Sequence, residues 1–130
     1  MADDGPSASN EGASGPSSVA IGNAATANRN YAIAIGESAV AGSAVGADNT
    51  IAIGRNASST GLNGTAMGLN SRQSNGGIAA GNDTAAAGLV ATSIGYRNSA
   101  AGNFSTAIGA GNTALGTSAI AIGNGSTASN

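Results

Sequence analysis

Cysteine, histidine, lysine and tryptophan are absent from the 130-residue sequence. Without cysteine the chain can form no disulfide, and without histidine it lacks the commonest general base and metal ligand. The absence of both argues against a zinc site. Only one phenylalanine, two tyrosines and two methionines are present. A conventional core of large interlocking side chains is therefore excluded.

Charged residues and long apolar runs are also scarce. Four arginines oppose six carboxylates, for a net charge of −2. Scattered arginines do not form the dense basic patch that follows a phosphate backbone, so we expect no nucleic-acid partner. The longest apolar runs are about five residues, whereas a membrane-spanning helix needs roughly 20, so we expect no direct membrane insertion. The polar, acidic start is unlike a signal peptide, so an exported parent protein would make this chain a fragment of it.

The sequence contains no recognisable set of catalytic residues. The serines have no histidine to act as a base, and the carboxylates do not form a spaced pair. Calcium-binding solenoids need a regularly placed aspartate in each repeat, whereas Asp48 and Asp83 are isolated. We therefore predict that the protein is not an enzyme and that it holds no cofactor and no metal ion.

Glycine, present 22 times, marks an internal repeat. The phrase "AIAIG" at 32–36 returns as "IAIG" at 51–54 and 120–123 and as "TAIG" at 106–109. Counted from one anchor glycine to the next, the spacings are 14, 18, 14, 13, 14, 14 and 14. We predict that the anchors are turn glycines: Gly22, Gly36, Gly54, Gly68, Gly81, Gly95, Gly109 and Gly123. The exceptions to the regular spacing are a four-residue insertion within 37–53 and a one-residue deletion before Gly81.

Each full unit reads as two short strands joined by turns. A second glycine stands half a unit after the anchor in four units, at Gly61, Gly88, Gly102 and Gly116. Glycine at every half-unit opposes a helix, and alternating β-branched residues favour strands. A coil of this length cannot bury its own apolar face, but stacked coils with parallel pairing can. The pattern predicts an all-β fold, a β-roll or β-solenoid of eight rungs.

The strand before each anchor is non-polar on both faces. Ile33 and Ile35 share one face, while Ala32 and Ala34 occupy the other. A strand that is apolar on both faces is normally covered on both. The coil interior covers one face, and we expect another copy of the chain to cover the other. The sequence leaves open which face is which. The predicted coil-core or trimer-interface positions are Val19, Ile21, Ile33, Ile35, Ile51, Ile53, Met67, Ile78, Ile94, Ile108, Ile120 and Ile122.

Fourteen-residue units carrying "SVAIG" (18–22), "AIAIG" (32–36) and "STAIG" (105–109) resemble the YadA-like head domains of trimeric autotransporter adhesins. The resemblance implies a homotrimer of left-handed parallel β-rolls at the surface of Gram-negative bacteria. It also implies an outer-membrane anchor and stalk outside this chain, and attachment to host cells or extracellular-matrix proteins. We expect a disordered tail at 1–16, the head at 17–126 and the end of the fragment at 127–130. Ala80 and Met67 depart from the repeat, where isoleucine is expected.

Three groups of residues are candidates for contact with a ligand, each with a plainer alternative. The 37–53 insertion could be a ligand-contact loop carrying Glu37, Asp48 and Asn49, or a tolerated loop, with "SAVG" (43–46) as a possible partial anchor. The arginines could contact acidic matrix components or pair with aspartates across subunits, or could be scattered solubility charges; they are Arg29, Arg55, Arg72 and Arg97. The aromatic residues Tyr31, Tyr96 and Phe104 could anchor a partner, or could pack at coil edges or between subunits.

A structural solenoid without a host ligand is the alternative function. It would serve as a spacer or present an ice-binding type of surface. An ice binder needs threonines at one fixed position of every unit, and the threonines of this chain do not all share one position. A spacer predicts no binding to any host component. The sequence does not name a host ligand.

Overall fold

The computed structural model describes residues 12–129, which form a solenoid of parallel strands. One eight-stranded sheet, the long-strand sheet, consists of β1 (Val19–Ile21), β3 (Ile33–Ile35), β5 (Ile51–Ile53), β7 (Thr65–Met67), β9 (Ile78–Asn82), β11 (Thr92–Tyr96), β13 (Thr106–Ala110) and β15 (Ile120–Asn124). The other, the short-strand sheet, consists of β2 (Thr26–Ala27), β4 (Val40–Ala41), β6 (Ser58–Ser59), β8 (Arg72–Gln73), β10 (Ala85–Ala86), β12 (Ser99–Ala100), β14 (Thr113–Ala114) and β16 (Thr127–Ala128). The predicted all-β parallel solenoid of about eight coils is confirmed.

The repeat sets the register, because equivalent residues of successive coils pair directly. Ile33 pairs with Val19 in the preceding coil and with Ile51 in the following one. The second pairing holds although residues 36–53, called the inserted coil below, contain four additional residues. Met67 pairs with Ala80, although the coil that separates them, residues 68–80, has one residue fewer than the regular repeat and is called the short coil below. Insertion and deletion both fall in the turns that follow the short-strand sheet, so the strands keep their columns.

Alanine, and not isoleucine, lines the interior. The middle residue of each three-residue long strand points inward and is buried, as Ala34 and Ala52 are, and Ala107 takes the same place in β13. The isoleucines on either side point outward and remain partly or largely exposed. The faces that the sequence left open are thereby assigned: at the middle position of the long strands, the short coil leaves room for alanine or serine and not for isoleucine.

The anchor glycines form a ladder beside the corner between each long strand and the short strand that follows it. They come directly after the long strand in the first four coils and are its fourth residue in β9, β11, β13 and β15. All eight have φ between +117° and +133°, outside the region that residues with a Cβ adopt readily. A Cβ on Gly54 would lie 2.5 Å from the carbonyl oxygen of Gly68 in the next coil. Glycine is therefore required twice here, by backbone conformation and by the close approach of the next rung.

The second glycine of each unit has a different role. Gly61, Gly88, Gly102 and Gly116 do not have positive φ. A Cβ on Gly102 would overlap the backbone of Gly116 in the next coil. Close stacking with the next coil therefore explains why glycine stands at this position. The residue with positive φ in the same turn comes two places later, and it is a residue with a side chain, such as Asn63, Val90 or Phe104.

Buried polar side chains complete the interior of the last coils. The Asn98 side-chain nitrogen donates to the carbonyls of Ile94 and Gly109, both at 2.7 Å. The Asn98 side-chain oxygen accepts from the backbone N–H of Asn112 at 2.8 Å. Asn112 repeats the pattern with Ile108, Gly123 and Ser126. This asparagine ladder satisfies corner backbone groups that the strand pairing leaves open.

Residues near both ends of the described chain pair with the solenoid. Of the predicted tail at 1–16, residues 1–11 lie outside the described residues. Within 12–16, Ala13 forms a parallel bridge with Ala27, and Ser14 donates its backbone N–H to the Ala27 carbonyl at 3.0 Å. Near the other end, Thr127–Ala128 is the last strand of the short-strand sheet.

Candidate functional site

Besides the outer face of the short-strand sheet, three surfaces of the solenoid can meet a partner. The first is the outer face of the long-strand sheet. The second, the loop edge, is formed by the turns that lead from short to long strands. The third, the glycine edge, is formed by the turns that lead from long to short strands and carries the anchor glycines. The two edges lie on opposite sides of each coil.

The outer face of the long-strand sheet is a largely apolar surface built from two columns. The column directly before the anchor glycines runs through Ile21, Ile35, Ile53, Met67, Ala80, Ile94, Ile108 and Ile122. The other runs through Val19, Ile33, Ile51, Thr65, Ile78, Thr92, Thr106 and Ile120. The predicted coil-core or interface positions therefore all lie on this outer face. No charged side chain interrupts these two columns among the described strands.

The threonines of this face do not form an unbroken ladder. Thr65, Thr92 and Thr106 share one column, but Ile78 stands between Thr65 and Thr92. A continuous threonine surface of the kind expected for ice binding is therefore not present on this face of the described strands.

The loop edge carries most of the other large apolar side chains that are exposed. They follow successive turns and are Tyr31, Val45, Leu62, Leu89, Val90, Phe104 and Leu115. The short coil contributes Asn75 and Gly76 at this edge. They line an open pocket of about 330 Å³, together with Leu62 of the coil below and Leu89 and Val90 of the coil above.

Gln73 holds the short turn in shape from inside the coil. Its buried side-chain oxygen, in the orientation that satisfies both ends of the amide, accepts from the backbone N–H groups of Asn75, Gly76 and Gly77. The side-chain nitrogen donates to the Ser59 hydroxyl at 3.1 Å. Gly64 in the preceding coil leaves the space that this side chain fills.

The four-residue insertion lies between β4 and β5, within 42–50, and forms an ordered projection from the loop edge. Arg29 donates from Nε to the Ala44 carbonyl at 3.0 Å, and the backbone N–H of Asn30 donates to the Asp48 carboxylate at 3.3 Å. Val45 at the tip is 93% exposed. The alternative that 43–46 is a partial anchor within the sheet is wrong, because these residues lie in a turn.

The three predicted ligand-contact residues are not brought together. Asp48 and Asn49 lie at the loop edge, where Asp48 holds the insertion against Asn30 and Asn49 donates to the Asn63 side chain at 3.2 Å. Glu37 follows Gly36 directly and therefore lies on the glycine edge. These residues stay candidates for ligand contact, on two separate surfaces.

The glycine edge gathers polar and charged side chains of successive coils. Asn56 donates to the Asn70 side chain at 3.1 Å, and Asn70 donates to the Asp83 carboxylate at 2.8 Å. One coil further, the Arg97 guanidinium lies 5.1 Å from the centre of the Tyr96 ring. The sequence already indicates that these side chains are neighbours when the units are aligned on their anchor glycines. Each stands two places after an anchor: Asn56, Asn70, Asp83 and Arg97.

Residues 12–129 contain no group of three acidic, histidine or cysteine side chains that could hold a metal ion. Over the same range, no helix is long and apolar enough to span a membrane.

The comparison with protein families matches the repeat directly. A model of the YadA head domain repeat (2 copies) matches residues 13–41, 44–71, 86–112 and 113–130. The matches cover more than half of the chain, and the chain belongs to this family. The family comes from surface-exposed trimeric autotransporter adhesins and indicates an adhesin-type function. No curated protein matches the sequence. The family matches break at 42–43, in the insertion, and at 72–85, around the short coil.

Proposed function

We propose that this chain is the head of a bacterial cell-surface adhesin that attaches to host cells or extracellular matrix as a homotrimer. The observation that carries the proposal is the charge-free, largely apolar outer face of the long-strand sheet in a chain of the YadA head family. An apolar surface of this extent on a monomer marks an interface. Three copies that bury it around one axis would supply the burial that alanine cores do not.

This arrangement leaves the short-strand sheet and parts of both edges accessible to a host surface. Three copies of each outward site would act together, so that weak single contacts add up to stable attachment. A stalk and an outer-membrane anchor outside this chain would hold the head at the cell surface. Left-handed winding of the coils, as in the family, is part of the same proposal.

Light scattering coupled to gel filtration tests the assembly. We expect a particle of about 36 kDa, three times the 12.0 kDa chain. A stable folded monomer would contradict the trimer, because the apolar face would then be exposed to water.

Binding to immobilised collagen, fibronectin, laminin and cultured cells tests the adhesin function. We expect the trimer to bind at least one of these surfaces, with retention that falls sharply when the chain is held monomeric. A folded trimer that binds none of them would favour a spacer.

A further inference from the structure

The glycine edge holds a second pocket of about 330 Å³, where that edge meets the short-strand sheet beside the short coil. It is lined by Asn70, Arg72, Asp83, Thr84 and Ala85. Its volume is in the range of small-ligand clefts. Four of the five lining residues fall within 72–85, the segment that the family repeat does not match, so the pocket is a feature of this chain beyond the general repeat.

The floor of the pocket exists because Arg72 stands among small neighbours. On the outer row of the short-strand sheet, Arg72 pairs with Ser58 in the coil below and with Ala85 in the coil above. The long arginine side chain therefore borders a depression over Ala85, whose methyl group gives the floor a small apolar area.

The two charged groups of this pocket do not neutralise each other. Arg72 and Asp83 form no ion pair within residues 12–129, and the Arg72 guanidinium has no hydrogen-bond acceptor among those residues. One Asp83 oxygen accepts from Asn70 at 2.8 Å, which leaves the other oxygen open to a ligand. The lining of the pocket thus includes a guanidinium group, which carries five N–H donors, and a carboxylate with one oxygen that accepts no hydrogen bond among residues 12–129.

This combination selects a class of ligand. A sulfate or phosphate would meet the Asp83 carboxylate, and a simple cation would meet Arg72. Hydroxyl groups satisfy both, because each one donates to a carboxylate and accepts from a guanidinium. A pyranose ring adds an apolar C–H face that suits the Ala85 floor.

We propose that this pocket binds a neutral hexopyranose residue of a host glycan, through hydroxyl hydrogen bonds to Arg72 and Asp83 that Asn70 helps to position. The proposal rests on the adhesin function above and names the kind of partner that the outward face recognises. Tyr96 and Arg97 lie on the next coil, about 4.8 Å further along the edge. They would meet the neighbouring sugar of an oligosaccharide.

The test uses the full chain with methyl hexopyranosides, methyl N-acetylhexosaminides, and an array of neutral, sialylated and sulfated oligosaccharides. Binding is measured by saturation-transfer NMR and on the array for the wild type, Arg72→Gln, Asp83→Asn and Arg55→Gln. Asp83→Asn keeps an amide partner for Asn70, as Asn56 does one coil below. Arg55→Gln removes an exposed arginine of the same edge outside the pocket.

We expect neutral sugars to bind. Arg72→Gln and Asp83→Asn should each weaken binding about tenfold or more, since each removes a hydrogen bond to a charged group. Arg55→Gln should change it less than about twofold, as a surface charge outside the pocket. Absence of binding by any neutral sugar would overturn the proposal. So would binding confined to sulfated glycans that Arg55→Gln weakens as much as Arg72→Gln, since that pattern is general charge attraction.

Cell attachment of the same variants separates this site from the adhesin function. Attachment that survives both pocket substitutions and enzymatic removal of cell-surface glycans would overturn the glycan site and leave the adhesin function standing. Sugar binding with the expected variant pattern, in a head that attaches to no host surface, would support the site and contradict the adhesin function.

Discussion

At the scale of single residues, the anchor glycines have the narrowest tolerance. Their φ values favour glycine, and the next coil occupies the space that a side chain would need. Gly46 offers a comparison, because it also has positive φ, at +77°, but has no atom within 4 Å of an added Cβ. Gly46 therefore tests a positive φ without contact, whereas Gly54, with φ of +130°, combines a less accessible φ with contact from the next coil.

We predict that Gly54→Ala destabilises the fold by more than about 3 kcal/mol, because conformational strain and backbone overlap add. Gly46→Ala should cost only about 1 kcal/mol, from strain alone. Urea unfolding followed by circular dichroism measures both. Equal losses would mean that stacking contact with Gly68 contributes nothing.

At the scale of the element, each coil is an interchangeable unit whose turns at the loop edge accept changes of length. The inserted coil and the short coil both keep their strands in register with their neighbours. Removal of residues 43–46 would return the inserted coil to the regular length of the repeat and leave a turn of Gly42, Ala47, Asp48, Asn49 and Thr50. The strands on either side would not move.

We predict that deletion of 43–46 leaves the fold intact and changes the free energy of unfolding by less than about 1 kcal/mol, since loop length costs little. Arg29 loses its bond to Ala44 at this edge, which is a small loss for an exposed contact. Deletion of 85–88, which removes β10, is the control and should prevent cooperative unfolding. A large loss for the 43–46 deletion would show that the projection braces the coil.

At the scale of the whole molecule, the two sheets differ in what they present outward. The long-strand sheet shows isoleucine columns, whereas the outer row of the short-strand sheet carries Thr26, Val40, Ser58, Arg72, Ala85, Ser99, Thr113 and Thr127. Ile51 and Val40 are both outward-facing, half-buried aliphatic residues, one on each sheet. They form a matched pair for testing which sheet is buried between copies.

We predict that Ile51→Glu shifts the particle from about 36 kDa toward the monomer, because a carboxylate cannot be buried unpaired in an apolar interface. Val40→Glu should leave the trimer intact. Light scattering gives the mass, and circular dichroism shows whether a dissociated chain stays folded. Dissociation by Val40→Glu alone would place the interface on the short-strand sheet.

The sequence alone determined the length of the coil, the positions of the strands and the glycine corners. These features repeat in register, and local chemistry dictates them: alternation favours strands, and positive φ favours glycine. It also located the insertion and the deletion, because the anchors on either side are unmistakable. The anchor columns even align Asn70 with Asp83 across the short coil.

Only the tertiary structure decided which face of each strand lies inside. Ile33 and Ala34 are both apolar, so hydropathy does not distinguish them, and the limited interior of a short coil selects the smaller alanine at this position. The structure likewise separated Glu37 from Asp48 and showed that Asp48 accepts a hydrogen bond from Asn30. It brought Arg72 and Asp83 to one pocket, because stacking makes neighbours of residues on successive coils. A side chain's open hydrogen-bonding groups are visible only once its surroundings are in place.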